Sequence, residues 1–247
     1  MNIIIPIAGA SAALPETEYI KSLQEIERKT ILQHVFEAIA PVSAEHFVVV
    51  IKREFVNAYH LDNIVRLLRP DAEVVIAEGQ TLGAACTCML AVDKINLEEP
   101  LLIVGSDQVL TVSYREILDE FQNRDYDGGV AIFDDVHPRW SYVRLDENGF
   151  VIEAAEKRPI SRNAAAGFYY FKKGRFFMDA AKKMILKSAS VNGKFYICPT
   201  FNEMILNQQK IGVYRVKKEQ YFNFNNNAGI EAYRTELQRD GRQGGQV

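Results

Sequence analysis

Cysteine is scarce in this chain. Three cysteines in 247 residues, Cys86, Cys88 and Cys198, cannot all pair, and their spacing fits neither a disulfide framework nor a zinc cluster. Cys86 and Cys88 read as small apolar residues of a helix, and Cys198 as a loop residue. An excess of positive charge is also missing. With 29 Lys and Arg against 32 Asp and Glu, the net charge of -3 argues against the broad basic surface of a nucleic-acid binder. No apolar run approaches the roughly 20 residues that a membrane-spanning helix needs. The opening MNIIIPIAGA is apolar but lacks a basic segment and meets Pro6 too early for a signal peptide. These absences lead us to expect a reduced, cytoplasmic, soluble protein.

What is present is ordinary globular material. Hydrophobic residues make up 48% and charged residues 25%, and the length suits one domain with a sizeable core. The first half alternates between two periods. Short β-branched runs at 3–5, 47–51, 73–77 and 101–104 read as buried strands. Helical patterns lie between them at 30–40, at 53–68 in two pieces and at 81–95, with a further helix to residue 124 whose N-cap is Ser113. After Gly128 the texture changes to strands at 130–133, 142–145, 151–156 and 167–171, separated by turn signals such as Asp146-Glu147-Asn148-Gly149. A helix at 173–187, strands at 211–216 and 221–224 and a helix at 229–237 follow. The pattern calls for a Rossmann-like α/β fold, a mixed and mostly parallel sheet with helices on both faces. One domain over 1–238 is expected, with a Gly/Gln/Arg-rich tail at 239–247 that reads as disordered.

In an open α/β sheet, ligands bind at the carboxyl ends of the strands. Three loops qualify. The loop after Ile5, with Ala8, Gly9, Ala10 and Ser11, is nearly free of side chains, so backbone N–H groups can approach phosphate oxygens; a tight strand-to-helix connection would look the same. In the loop after Ala77, Gln80 carries a donor and an acceptor able to read a base edge, and Gly83 and Ala84 leave room for a planar base; a helix packed closely on the sheet is the competing reading. Asp107 follows a buried strand and is flanked by Gly105 and Ser106. That placement suits a Mg²⁺ ligand against a phosphate, and equally a turn cap.

Together these segments resemble the sugar-phosphate nucleotidyltransferase family, over roughly residues 2–233. The resemblance is carried by Ile4-Ile5-Pro6-Ile7-Ala8-Gly9, by Lys21-Ser22-Leu23 where the family usually has Lys-Pro-Leu, by Gly83-Ala84-Ala85, and by Gly105-Ser106-Asp107-Gln108. In the second half, HPRWSYVRLD at 137–146, Glu156-Lys157-Arg158-Pro159 and NGKFYICPTFNEMI at 192–205 carry it further, with most likeness to capsule and surface-polysaccharide members. The resemblance implies a GT-A-like fold, with residues 1–127 serving the nucleotide and 128–238 the acceptor. It implies that Ala8, Gly9, Ala10 and Ser11 underlie a triphosphate, that Lys21 neutralises its charge, and that Gln80, Gly83 and Ala84 meet the base. Asp107 would hold Mg²⁺, with Asn223 where many members carry a second metal-binding Asp. Trp140, Ser141, Glu156, Lys157 and Gly167 would serve the acceptor, a phosphorylated small molecule. The reaction implied is attack by the acceptor phosphate on the α-phosphorus, with release of pyrophosphate.

The first loop departs from the family pattern, which has a second glycine and then an arginine: Ser11 replaces that glycine and Ala13 the arginine. A GT-A-like glycosyltransferase or a non-catalytic nucleotide or sugar-phosphate binder therefore stays open at this level, although Ser106-Asp107-Gln108 offers only one carboxylate where glycosyltransferases place Asp-x-Asp. Restoring the cation tests the loop. Ala13→Arg is expected to tighten triphosphate binding by about 1.5–3 kcal/mol, measured by calorimetry, if a charge-assisted bond to phosphate forms. Loss of binding would mean that the loop serves a different ligand.

Overall fold

A computed structural model describes residues 1–8 and 20–243. The first half runs β1 (Asn2–Ile7), the short hairpin β2 (Glu25–Ile26) and β3 (Lys29–Thr30), α1 (Ile31–Ile39), β4 (His46–Lys52), α2 (Arg53–Tyr59), α3 (Leu61–Leu68), β5 (Ala72–Ala77), α4 (Ala84–Met89), β6 (Leu101–Val104), β7 (Gln108–Leu110) and α5 (Tyr114–Asn123). The second half runs β8 (Gly128–Asp134), β9 (Ser141–Leu145), β10 (Val151–Glu156), β11 (Asn163–Phe171), α6 (Gly174–Leu186), α7 (Thr200–Leu206), β12 (Ile211–Arg215), β13 (Tyr221–Asn223) and α8 (Asn227–Gln243). The nine-stranded main sheet has the order β10-β9-β11-β6-β1-β4-β5, with β8 beside β11 and β12 beside β8. The expected mixed sheet is present. Its β6-β1-β4-β5 portion is parallel, and β11 joins the halves by pairing antiparallel with β6.

Strand periodicity divides the core between the two faces. In β1, Ile3, Ile5 and Ile7 pack into one cluster and Ile4 into the other; Val49 and Ile51 of β4 part in the same way from Val48 and Val50. The first cluster is closed by α1 and α5, the second by α4, α6 and α7. Both faces are covered, which is why these strands are apolar throughout rather than alternating.

Several boundaries moved for physical reasons. β1 continues through Pro6 to Ile7, although Pro6 lacks a donor. The ladder to β6 ends at Ile4 opposite Ile103, and the Pro6 carbonyl accepts instead from Ser106 Oγ at 3.2 Å on that side. The helix expected at 81–95 is only Ala84–Met89 followed by a 3-10 turn. Leu90, Ala91 and Lys94 donate three residues back, so the chain tightens out of the α ladder. The break at 53–68 falls at His60, in the left-handed region at φ 51°. Ser113 stands at the N-cap of α5 without a capping side-chain bond. The final helix begins earlier than expected and continues to Gln243, so it includes residues 239–243 of the stretch read as a tail. Among the described residues no helix is long and apolar enough to cross a membrane.

Candidate active site

The carboxyl ends of β1 and β6 meet β11 at one point. Where β6 ends, Gly105 N–H donates to Gly167 O (3.1 Å), Ser106 Oγ to Pro6 O (3.2 Å), and Phe224 N–H to Asp107 O (2.8 Å). Strands β1 and β11 and the residue after β13 thereby hold the 105–107 turn, and Asp107 cannot shift without breaking one of these bonds. Lys21, on a 3-10 turn at Lys21–Leu23, is buried against it, and its Nζ donates to Asn225 Oδ1 at 2.7 Å. Burial lowers the Lys21 ammonium from its ordinary value, with the Asp107 charge opposing. Burial raises the Asp107 carboxyl, opposed by the Lys21 charge and a hydrogen bond from the Asn225 side chain. An ammonium, a carboxylate and an amide thus converge.

A second group of polar side chains lies across the same cleft. Ser141 opens β9 and is paired in register with Glu156, the last residue of β10, so both side chains share a face. Ser141 Oγ donates to Glu156 Oε2. Burial pushes the Glu156 carboxyl up, against the Ser141 bond and the Lys157 charge. The cleft, about 220 Å³, is lined by Lys21 and Asp107 at one end and by Ser141, Glu156, Tyr169 and Tyr196 at the other. Ala84 and Gly167 complete its wall. Gly167 has φ 67°, and a Cβ there would stand 1.9 Å from Gln108 Nε2, so only glycine fits this bulge of β11.

Other expected site residues lie elsewhere. Lys157 does not line the cleft. Its backbone turns left-handed (φ 54°), its N–H donates to Trp140 O at 2.9 Å, and its exposed side chain leans over the Tyr196 ring at 5.4 Å. Trp140 faces a neighbouring cavity, edge-on to Phe133 and Tyr221, with the Arg139 guanidinium over its ring. Ala8 packs in the core. Gln80 is exposed and does not line the cleft. Gly83 caps α4 at φ 110°, where a Cβ would meet Phe195 O at 2.3 Å; its smallness closes the 195 loop onto the helix. Gly9, Ala10 and Ser11 lie outside the described residues.

Asn223 lies two positions from the asparagine that meets this corner. Its Oδ1 accepts from Asn225 N–H (3.0 Å) and its Nδ2 donates to Tyr221 OH (3.4 Å), so Asn225, not Asn223, reaches Lys21 and Asp107. The run Asn223-Phe224-Asn225-Asn226-Asn227 holds too many equivalent amides for sequence to choose among them. Two further residues escaped sequence reading. Tyr196 gave no periodic signal. Ser22, buried beside Lys21 and lining the cleft, has a hydroxyl without a partner among the described residues, and its signal was a hydroxyl where the family usually has proline.

The chain belongs to the nucleotidyl transferase family, whose model matches residues 16–214. Among curated proteins it is similar to the bifunctional protein GlmU of Streptococcus pyogenes serotype M28 (strain MGAS6180), 23% identical over 239 residues, covering 93% of this chain and 49% of that protein. The chain therefore spans about half the length of the curated relatives it matches. Among solved structures, a nucleoside-diphosphate-sugar pyrophosphorylase from Vibrio cholerae RC9 superposes with a TM-score of 0.81 at 19% identity, over 94% of this chain and 99% of that one. The inositol-1-phosphate CTP transferase from T. maritima does so with a TM-score of 0.73 at 12% identity, over 94% of both chains.

The Glu156 environment makes a prediction about pH. In the unfolded chain the group titrates near the ordinary 4.5, in the folded chain above it. As pH rises between these values the unfolded state releases its proton first, so wild-type stability falls. Glu156→Gln removes that loss while keeping an oxygen for Ser141. Thermal melts should show the variant above wild type at neutral pH, with the gap closing below pH 4.5. A gap independent of pH would contradict the assignment.

Proposed function

We propose that the chain transfers a nucleoside monophosphate from a nucleoside triphosphate to a sugar phosphate or similar phosphorylated metabolite, releasing pyrophosphate. The observation that carries this reading is the two-ended cleft, with Lys21 and Asp107 at one end and Glu156, held by Ser141, at the other. Phosphate chemistry needs charge neutralisation and positioning more than a covalent group. Lys21 supplies a cation whose partial desolvation strengthens its field on a triphosphate. Ser22 Oγ, without a partner among the described residues, can donate to a phosphate oxygen. Glu156 accepts hydrogen bonds from acceptor hydroxyls, and Ser141 fixes which of its oxygens is available. The acceptor phosphate oxygen then forms a bond to the α-phosphorus as the bond to the pyrophosphate oxygen breaks.

A divalent cation suits the donors present. Asp107 is a carboxylate whose ionised form burial disfavours, and the Asn225 amide, whose Oδ1 accepts from Lys21 and whose NH₂ donates to Asp107, would bring its oxygen to a cation by turning over. Among the described residues there is no cluster of three or more metal-ligating side chains. One carboxylate and one neutral oxygen match Mg²⁺, which commonly takes one or two protein ligands and completes its shell with phosphate and water. Bound there, Mg²⁺ would neutralise phosphate charge. Likeness to capsule and surface-polysaccharide members supports a role in making precursors of such polymers. Ser106 and Gln108, which flank Asp107, supply no second carboxylate of an Asp-x-Asp pair, which disfavours the glycosyltransferase reading.

The test is pyrophosphate release with each of the four triphosphates, Mg²⁺ and a panel of sugar phosphates. One pair should turn over, and Asp107→Asn should lower its kcat by about 10²-fold or more with an unchanged melting temperature. Full metal-dependent activity in the variant would overturn the role given to Asp107.

A further inference from the structure

A series of hydrogen bonds runs from the Gly167 bulge in the cleft wall to the corner that holds Lys21 and Asp107. β7 and β13 pair antiparallel, placing Gln108 opposite Asn223 and Leu110 opposite Tyr221. Gln108 is buried, and its Nε2 donates to Ala166 O in the bulge that ends at Gly167. Its Oε1 accepts from Tyr221 OH at 3.2 Å. The same hydroxyl accepts from Asn223 Nδ2 at 3.4 Å, and Asn223 Oδ1 accepts from Asn225 N–H at 3.0 Å. Asn225 then meets both Lys21 and Asp107.

The bonds have one consistent direction. The Asn225 N–H can only donate, so Asn223 must present its oxygen there and its NH₂ to Tyr221. Tyr221, accepting from that NH₂, has its single proton left for Gln108. Gln108, accepting that proton, turns its NH₂ to the Ala166 carbonyl. No amide in the series can flip without setting donor against donor. The Tyr221 ring is itself held, stacked on Phe133 at 4.4 Å and edge-on to Trp140 at 5.5 Å. That packing gives Trp140 a use although it does not line the cleft.

We propose that Tyr221 is a positioning residue of the transfer reaction: its hydroxyl joins the Asn223 and Gln108 amides and so sets Asn225 and Asp107 against the Gly167 turn on the acceptor side. The proposal rests on the nucleotidyltransferase reading above. Tyr221 lines the neighbouring cavity rather than the cleft, so its effect is transmitted. It should appear in the rate of the chemical step, where geometry matters most, rather than in ground-state binding.

Tyr221→Phe keeps the ring packing and removes only the hydroxyl; Asn223→Ala interrupts the same series from the other side and serves if the first variant fails to fold. With the triphosphate and acceptor that support pyrophosphate release, each variant should lose about tenfold in kcat, with the KM of both substrates held within about twofold. The double variant should lose no more than the worse single one, because both break one series. A purely structural role would lower the melting temperature without that split between kcat and KM. Wild-type kcat in either folded variant, additive losses in the double variant, or a rise in KM at constant kcat would overturn the proposal. If the wild-type protein releases no pyrophosphate with any pair, the reading beneath it falls, and the proposal with it.

Discussion

Lys21 and Asp107 are drawn out of bulk water together, and the rest of the site is organised around that pair. Desolvation alone disfavours both charges, and each is favoured by the other. The balance holds only while the separation holds, so the protein must fix two backbone segments far apart in sequence. Pro6, Gly167 and Phe224 grip the turn that bears Asp107, and Asn225 receives the Lys21 ammonium. A polar centre arranged in this way suits a highly charged substrate, whose phosphates would meet a cation already partly freed of water.

The sheet explains why the end with Ser141 and Glu156 lies so near. β11 is antiparallel to β6 and passes directly beside it, Phe168 opposite Val104. The bulge at Gly167 lets the strand bend where β6 gives way to the Asp107 turn. β9 and β10 then bring Ser141 and Glu156 over the same cavity. One continuous sheet therefore carries both ends of the cleft, and Asn225, from the second half of the chain, stands against Lys21 and Asp107 from the first.

Much of this was legible in the sequence because it depends on local pattern. The apolar runs at 3–5, 47–51 and 101–104 announced buried strands, and Asp107 after such a run pointed to the site. Lys21, Ser141, Glu156 and Gly167 also reach the cleft they were assigned to. What stayed hidden depends on long-range register. Which asparagine of 223–227 faces Asp107 is decided by the pairing of β13 with β7, which local sequence does not encode. Lys157 and Trp140 sit next to true cleft residues, but a left-handed backbone at one and an aromatic cluster around the other turn them away. The helix α7, for which no helix was expected, has only the Thr200–Leu206 stretch after Pro199, too short for a periodic signal.

The central claim is that Asp107 and Asn225 together form the cation-binding corner of a phosphate site, beside Lys21. The most direct measurement is anomalous diffraction from crystals soaked with Mn²⁺ and a non-hydrolysable triphosphate. The account predicts one strong peak within ligand distance of an Asp107 carboxylate oxygen and Asn225 Oδ1, with the triphosphate alongside Lys21. A peak held by Asn223 instead, or a bound triphosphate away from Lys21 with no metal at Asp107, would contradict it.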